Sequence, residues 1–115
     1  MAVMSKLPPD TLIAPAKLRD YLLVWRGKDD KSKWLAIVGY TADNWRQLQQ
    51  DLRLQILPLE AEFVEETRFG QMFEIRGALV GPNGKQLFLR SFWLLESDTG
   101  QTKFITLYPD REQMR

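Results

Sequence analysis

Ser91, Thr106 and Tyr108 place three hydroxyls, and Arg76 a guanidinium, inside apolar stretches of the C-terminal half of the chain. Such a set suits a phosphate. A guanidinium offers paired N–H donors at fixed geometry, and hydroxyls donate or accept as needed. Glu74 adds a carboxylate two residues before Arg76. The same residue types also finish an ordinary half-wet sheet face, where cross-strand pairs contribute about 0.2–1 kcal/mol each. Composition alone favours that structural reading. What decides is how the segments carrying these residues pair.

From residue 60 onward the apolar pattern has a period of two. Four strand candidates are separated by the turn signals "RFGQ", "GPNG" and "SDTG", which predict a consecutive antiparallel meander. With Ser97 opposite Gly100, Trp93 faces Phe104, Phe92 faces Ile105, Ser91 faces Thr106 and Arg90 faces Leu107. With Gly81 opposite Gly84, Phe73 faces Phe92 and Glu74 faces Ser91. Side chains alternate along strands, so two faces follow. The core face carries Phe73, Ile75, Leu79, Phe88, Phe92, Ile105 and Leu107, with Arg90 among them. The open face carries Glu74, Arg76, Ser91, Thr106 and Tyr108. Trp93 and Phe104 join it near the turn, as a stacking surface for a base or, more simply, as a second small core or a dimer contact. A two-residue "RFGQ" turn sets Glu65 opposite Glu74, either as an acid–base pair or as a tolerated repulsion. A slip of one residue exchanges the faces. Arg90 in a core needs a carboxylate partner, for which Asp20, Asp43 and Asp51 are candidates. The alternative is that it reaches a cleft and binds substrate.

The N-terminal half must cover that core face. Pro8-Pro9 blocks helix, so residues 1–14 are expected as an extended lead-in. In "APAKLRDYLLVWRG", Pro15 suits a first turn. Leu18, Tyr21, Leu22 and Trp25 form one stripe, and Gly27 stops it. "SKWLAIVGYT" fits a helix ended by Gly39 or a strand with Ile37-Val38; the short helix is favoured. "TADNWRQLQQDLRLQI" is a clearer helix, capped by Thr41 or Asp43, with Trp45, Leu48 and Leu52 inward. Helices first and sheet second give an α+β domain: two or three helices on one face of a four-stranded antiparallel meander. The expected division is lead-in 1–14, a single domain 15–110 and a tail 111–115.

A chain of 115 residues without cysteine or histidine has no disulfide framework, no thiol nucleophile and no Cys/His zinc site. No metal or cofactor is expected, and no phosphate-loop, dinucleotide or EF-hand motif occurs. Net charge is +1. Its distribution is uneven: residues 1–57 carry nine Lys/Arg against six Asp/Glu, residues 58–115 seven against nine. The basic excess lies in 17–33, at Lys17, Arg19, Arg26, Lys28, Lys31 and Lys33. Such residues attract phosphates, but more often form a solvated face and loop. Glu60, Glu62, Glu65 and Glu66 read as a charged edge strand that discourages sheet-to-sheet aggregation. No run approaches the ~20 apolar residues of a membrane span, and the first ten residues lack a signal peptide's pattern. A cytoplasmic protein is expected.

"KLRDYLL" (17–23), "KSKWLAIVGYTADNW" (31–45), "FGQMFEIRGALVGPNGK" (69–85), "RSFW" (90–93) and "FITLYP" (104–109), in that order, resemble a small bacterial domain-of-unknown-function family that is frequent in cyanobacteria. The resemblance covers most of the chain. It implies a compact cytoplasmic α+β domain, in some relatives encoded beside another small protein in the manner of a toxin–antitoxin pair. The order of elements is also similar in topology to the barnase–EndoU–colicin–RelE ribonucleases. Relatives often have a histidine in the stretch matching Trp25–Lys31, and this chain has none. What the second likeness implies is a metal-independent endoribonuclease. In it Lys33 or Arg76 neutralises the phosphate, Tyr108 or Glu74 handles the 2′-hydroxyl proton, and Ser91 and Thr106 orient the backbone.

Three functions stay open on the sequence. The leading one is protein–protein contact, with a small protein partner or a second copy, as in a two-gene toxin–antitoxin-like pair. The second is the ribonuclease acting on RNA through the open face. The third is a small-ligand binder using the space between helices and sheet.

Overall fold

The computed structural model describes residues 4–24 and 31–111. Trp25, Gly27, the charged loop with Arg26, Lys28, Asp29 and Asp30, and the tail beyond residue 111 lie outside the described residues. An antiparallel sheet of order β1-β2-β3-β4-β5 is formed by Met4–Ser5, Ala61–Thr67, Gly70–Val80, Gln86–Glu96 and Thr102–Pro109. The four long strands are the expected meander. The fifth, β1, comes from the lead-in and pairs with the start of β2.

The lead-in then crosses to the opposite edge, where Leu12 bridges Lys103 of β5. The Leu12 amide donates to the Thr102 carbonyl at 2.9 Å, and the Phe104 amide donates to the Leu12 carbonyl at 2.8 Å. One short segment thus ties both edges of the sheet. It is held to a helix on the way: Arg53 donates to the carbonyls of Pro9 and Thr11, and Gln49 to that of Ile13.

Helix α1 starts at Pro15 (Pro15–Lys17), then widens into a π-helical turn over Leu18–Leu22, with the Leu23 amide donating to the Leu18 carbonyl at 2.9 Å. The wider turn breaks the expected three-residue spacing. Leu18, Leu22 and Leu23 point inward, and Tyr21 is 40% exposed. The favoured helix forms as α2 (Lys31–Ala36) and ends at Gly39, whose φ of 101° is left-handed. Thr41 and Asn44 then cap one another ahead of α3 (Trp45–Asp51), which continues as a π-helical stretch over Leu52–Ile56. The "GPNG" turn docks beneath α2. The Asn83 amide side chain donates to the Ile37 carbonyl at 2.9 Å, and a Cβ on Gly81 would lie 2.1 Å from the Val38 oxygen.

Leu18, Leu22, Leu35, Leu48, Leu52 and Ile56 pack with Ile75, Leu79, Leu89 and Trp93 in one buried core. Within it, Tyr40 donates to Asp51 Oδ2 at 2.5 Å, and Gln47 to Asp51 Oδ1 at 2.9 Å. Burial, then the hydrogen bond to Asp51 and its charge, push the Tyr40 phenol far above its ordinary value of 10.0. A raised folded-state value means that Tyr40 adds stability fully below about pH 10, and that this is lost as pH rises further, because only the unfolded chain releases the proton. In urea titrations the wild type is therefore expected to lose up to about 1.4 kcal/mol per pH unit more than Tyr40→Phe above pH 10. Identical slopes would mean that the phenol ionises freely in the fold.

Candidate functional site

Two hairpin details reset the faces. The "GPNG" loop is one residue longer than a two-residue turn: the Gly81 amide donates to the Lys85 carbonyl at 2.9 Å, and Gly84 takes a φ of 85°. This is the three-residue hairpin geometry, with a left-handed residue at its end. It pairs Phe73 with Trp93, Glu74 with Phe92, Ile75 with Ser91 and Arg76 with Arg90, one step from the expected register. The "SDTG" hairpin keeps its register as far as Trp93↔Phe104. A bulge then sets Phe92 against Thr106, Ser91 against Leu107 and Arg90 against Tyr108.

Strand β4 is consequently reversed relative to expectation. Ser91 faces the core, fully buried. Its hydroxyl donates to the Ile75 carbonyl at 2.9 Å and accepts from Trp93 Nε1 at 2.8 Å. Trp93 and Phe104 belong to the core, packed edge to face with centroids 5.1 Å apart. Phe88 and Phe92 move to the open face, half-buried. Arg90 moves with them and pairs with Glu74. None of the three aspartates named for it is its partner: Asp51 is held by Tyr40 and Gln47, and Asp20 pairs with Arg19. Glu65 stands opposite Met72, because the turn closes with Thr67 opposite Gly70, and a bulge after Phe63 then makes Glu62 the partner of Glu74.

The open face is now a grid across three strands. One row is Glu74, Phe92 and Thr106, and the next is Arg76, Arg90 and Tyr108. Glu74 Oε2 accepts from Arg90 Nε and lies 3.4 Å from Arg76 Nε. Arg76 Nη1 is also 3.9 Å from the buried carboxylate of Asp110. Lys31, at the start of α2, reaches over the edge strand. It donates to Thr106 Oγ1 at 2.8 Å and sits 4.0 Å from the centre of the Tyr108 ring. Phe92 and Tyr108 pack edge to face at 5.7 Å. Two shallow basins flank Arg76: one of about 260 Å³ against Gly77, Ala78, Phe88 and Asp110, and one of about 310 Å³ against Glu60, Glu62 and Glu74.

Of the residues expected to form a site, Arg76, Thr106 and Tyr108 share this face, together with Glu74. Lys33 is exposed on α2, and it is Lys31, two residues earlier, whose ammonium reaches the face. Arg90 and Lys31 were not assigned there from the sequence. Arg90 carried a signal, since a charge aimed at an apolar core is unfavourable and argues for the opposite face. Among the described residues no group of histidine, cysteine, aspartate or glutamate side chains is arranged to hold a metal ion. No helix among them is long and apolar enough to cross a membrane.

The model of a family described as a domain of unknown function, DUF6883, matches residues 8–111. The chain belongs to the DUF6883 family. Its matched span takes in every strand from β2 to β5 and all of the open-face residues just described. No curated protein matches the chain. Among solved structures, a contact-dependent growth inhibition toxin–immunity protein complex from Klebsiella pneumoniae 342 contains a chain similar to this DUF6883 domain. The TM-score is 0.55 at 18% identity, over 87% of this chain and 100% of that one. At that identity the likeness is one of fold.

Proposed function

We propose that this protein is a metal-independent, ribonuclease-like toxin domain that acts in the cytoplasm and binds RNA on the open face of its sheet. The observation that carries the reading is the cross-strand pair Arg76 and Arg90 clasping Glu74, with Thr106, Tyr108 and Lys31 on the adjoining strand and helix. The toxin–immunity protein complex that contains a similar fold is consistent with a toxin-like role and with a protein-contact role alike.

In this reading Glu74 takes the proton of a 2′-hydroxyl as that oxygen bonds to the neighbouring phosphorus. Arg76 and Arg90 meet the charge that builds on the non-bridging oxygens. The bond from phosphorus to the 5′-oxygen breaks, its electron pair leaves with that oxygen, and the Tyr108 phenol supplies the proton. The products are a 2′,3′-cyclic phosphate and a 5′-hydroxyl end; solvent restores both side chains. Phe92 and Tyr108 offer rings for stacking a base, and Lys31 adds positive charge beside them.

The test is incubation of the purified chain with a single-stranded RNA oligomer and with DNA of the same sequence, with a chelator present. Cyclic-phosphate ends on RNA and intact DNA are expected. Intact RNA, with unchanged growth of cells expressing the chain, would sink the reading. A second reading, contact with a protein partner, is favoured by Phe63, Val64 and Phe69, which are 36%, 45% and 60% exposed on β2 and the turn after it. It predicts that a neighbouring gene's product co-purifies with the chain and that Phe69→Ala weakens the pair. A chain that stays alone at micromolar concentration would discount it.

A further inference from the structure

The Cα positions of Arg76 and Arg90 are direct partners across β3 and β4. Two like charges in that relation repel, so the arrangement asks for an anion between them. Glu74 supplies one from the same strand as Arg76. Its carboxylate is only 13% exposed and meets both arginines on their Nε edges. The arginine side chains themselves remain 45% and 39% exposed. The charged heads therefore stand in reach of solvent, and the carboxylate lies against their inner edges.

We infer that Glu74 is a built-in occupant of an anion site, and that a phosphate group arriving on the open face competes with it for Arg76 and Arg90. A guanidinium binds phosphate oxygens in parallel pairs of hydrogen bonds. To present the pair that includes Nε, an arginine must turn that N–H away from the Glu74 oxygen it now meets, and Arg76 in addition stands 3.9 Å from Asp110. Each donor withdrawn from Glu74 leaves a carboxylate oxygen open to accept the hydrogen bond of an incoming hydroxyl. The ion pair thus acts as a latch, in which the base is quiet while it holds the arginines and is released by the phosphate it is to act beside. That last consequence rests on the ribonuclease reading. The competition for the anion site does not, because it concerns binding alone.

The test titrates inorganic phosphate into the full chain, following heat by calorimetry and the Arg90 Nε–H signal by NMR. In the wild type, phosphate is expected to shift the Arg90 signal as Glu74 is displaced. Glu74→Gln keeps the shape and removes the competing charge, so phosphate should bind it about tenfold more tightly or better. Glu74→Asp retains the charge on a shorter arm and reports whether a folded variant with a weakened clasp falls between the two. Equal phosphate affinity in wild type and Glu74→Gln, with both folded by circular dichroism, overturns the latch. So does a wild-type Arg90 signal that does not move. Because RNA cleavage by the wild type is scored separately, loss of the latch and loss of the ribonuclease reading give different results.

Discussion

Arg90→Ala is expected to lower RNA cleavage about 10²–10³-fold, the effect of removing one preorganised donor from a developing oxyanion, while the melting temperature moves by only a few degrees. The two expectations separate because Arg90 is 39% exposed and its partner keeps a second arginine at 3.4 Å. Ion pairs with this much solvent contribute about 0.2–1 kcal/mol. Arg90→Lys should recover little activity, since an ammonium lacks the planar fork that serves two oxygens at once. Arg76→Ala should behave similarly and relieve any growth defect. A variant lacking Arg90 that cleaves at the wild-type rate would remove the guanidinium pair from the mechanism.

Arg90 also marks what the sequence can and cannot reveal. The helices and strands were legible because their apolar spacing is dictated by burial. Leu48 and Leu52, or Phe73, Ile75 and Leu79, face inward as their periods demand. The α+β order and the meander follow from the short turns. Register is different, because it turns on a single residue in a loop or a bulge. "GPNG" suits two- and three-residue loops alike, and the left-handed Gly84 decides for the longer one. The bulge after Phe92 has no marker among its neighbours. Since β4 carries apolar residues at both parities, with Leu87, Leu89 and Trp93 on one face and Phe88 and Phe92 on the other, hydropathy could not choose between them.

The polar residues could have chosen. A core accommodates one serine that has partners for its hydroxyl far more readily than an arginine. The register that buries Ser91 is therefore the less costly, and it moves Arg90 to the face that already holds Arg76. Thr106 and Tyr108 stay on the open face in both registers, because the bulge offsets the shift between β3 and β4. That part of the site was readable. Lys31 was not, since its approach depends on the path of a helix start, which no strand register fixes.

Ser91→Ala then becomes the substitution that best separates a structural hydroxyl from a catalytic one. Ser91 is fully buried and joins two groups with no access to water: it accepts from Trp93 Nε1 and donates to the Ile75 carbonyl. Alanine leaves the indole N–H unpaired, at a cost of about 1–3 kcal/mol, while the Ile75 carbonyl keeps its ladder pairing with residue 91. For a domain of about this size, each kcal/mol lowers the melting temperature by roughly 4–8 °C. Any RNA cleavage per folded molecule should be unchanged, because the hydroxyl lies on the opposite face from Glu74. A catalytic serine predicts the reverse: an intact melting curve and lost activity. Trp93→Phe sharpens the comparison. Phenylalanine also removes the indole donor, so Ser91→Ala should cost less in that background than in the wild type, and the difference isolates the hydrogen bond from the packing lost with the ring. Strictly additive costs would mean that the Ser91–Trp93 contact contributes nothing, and that burial of the hydroxyl is stabilised through the Ile75 carbonyl alone.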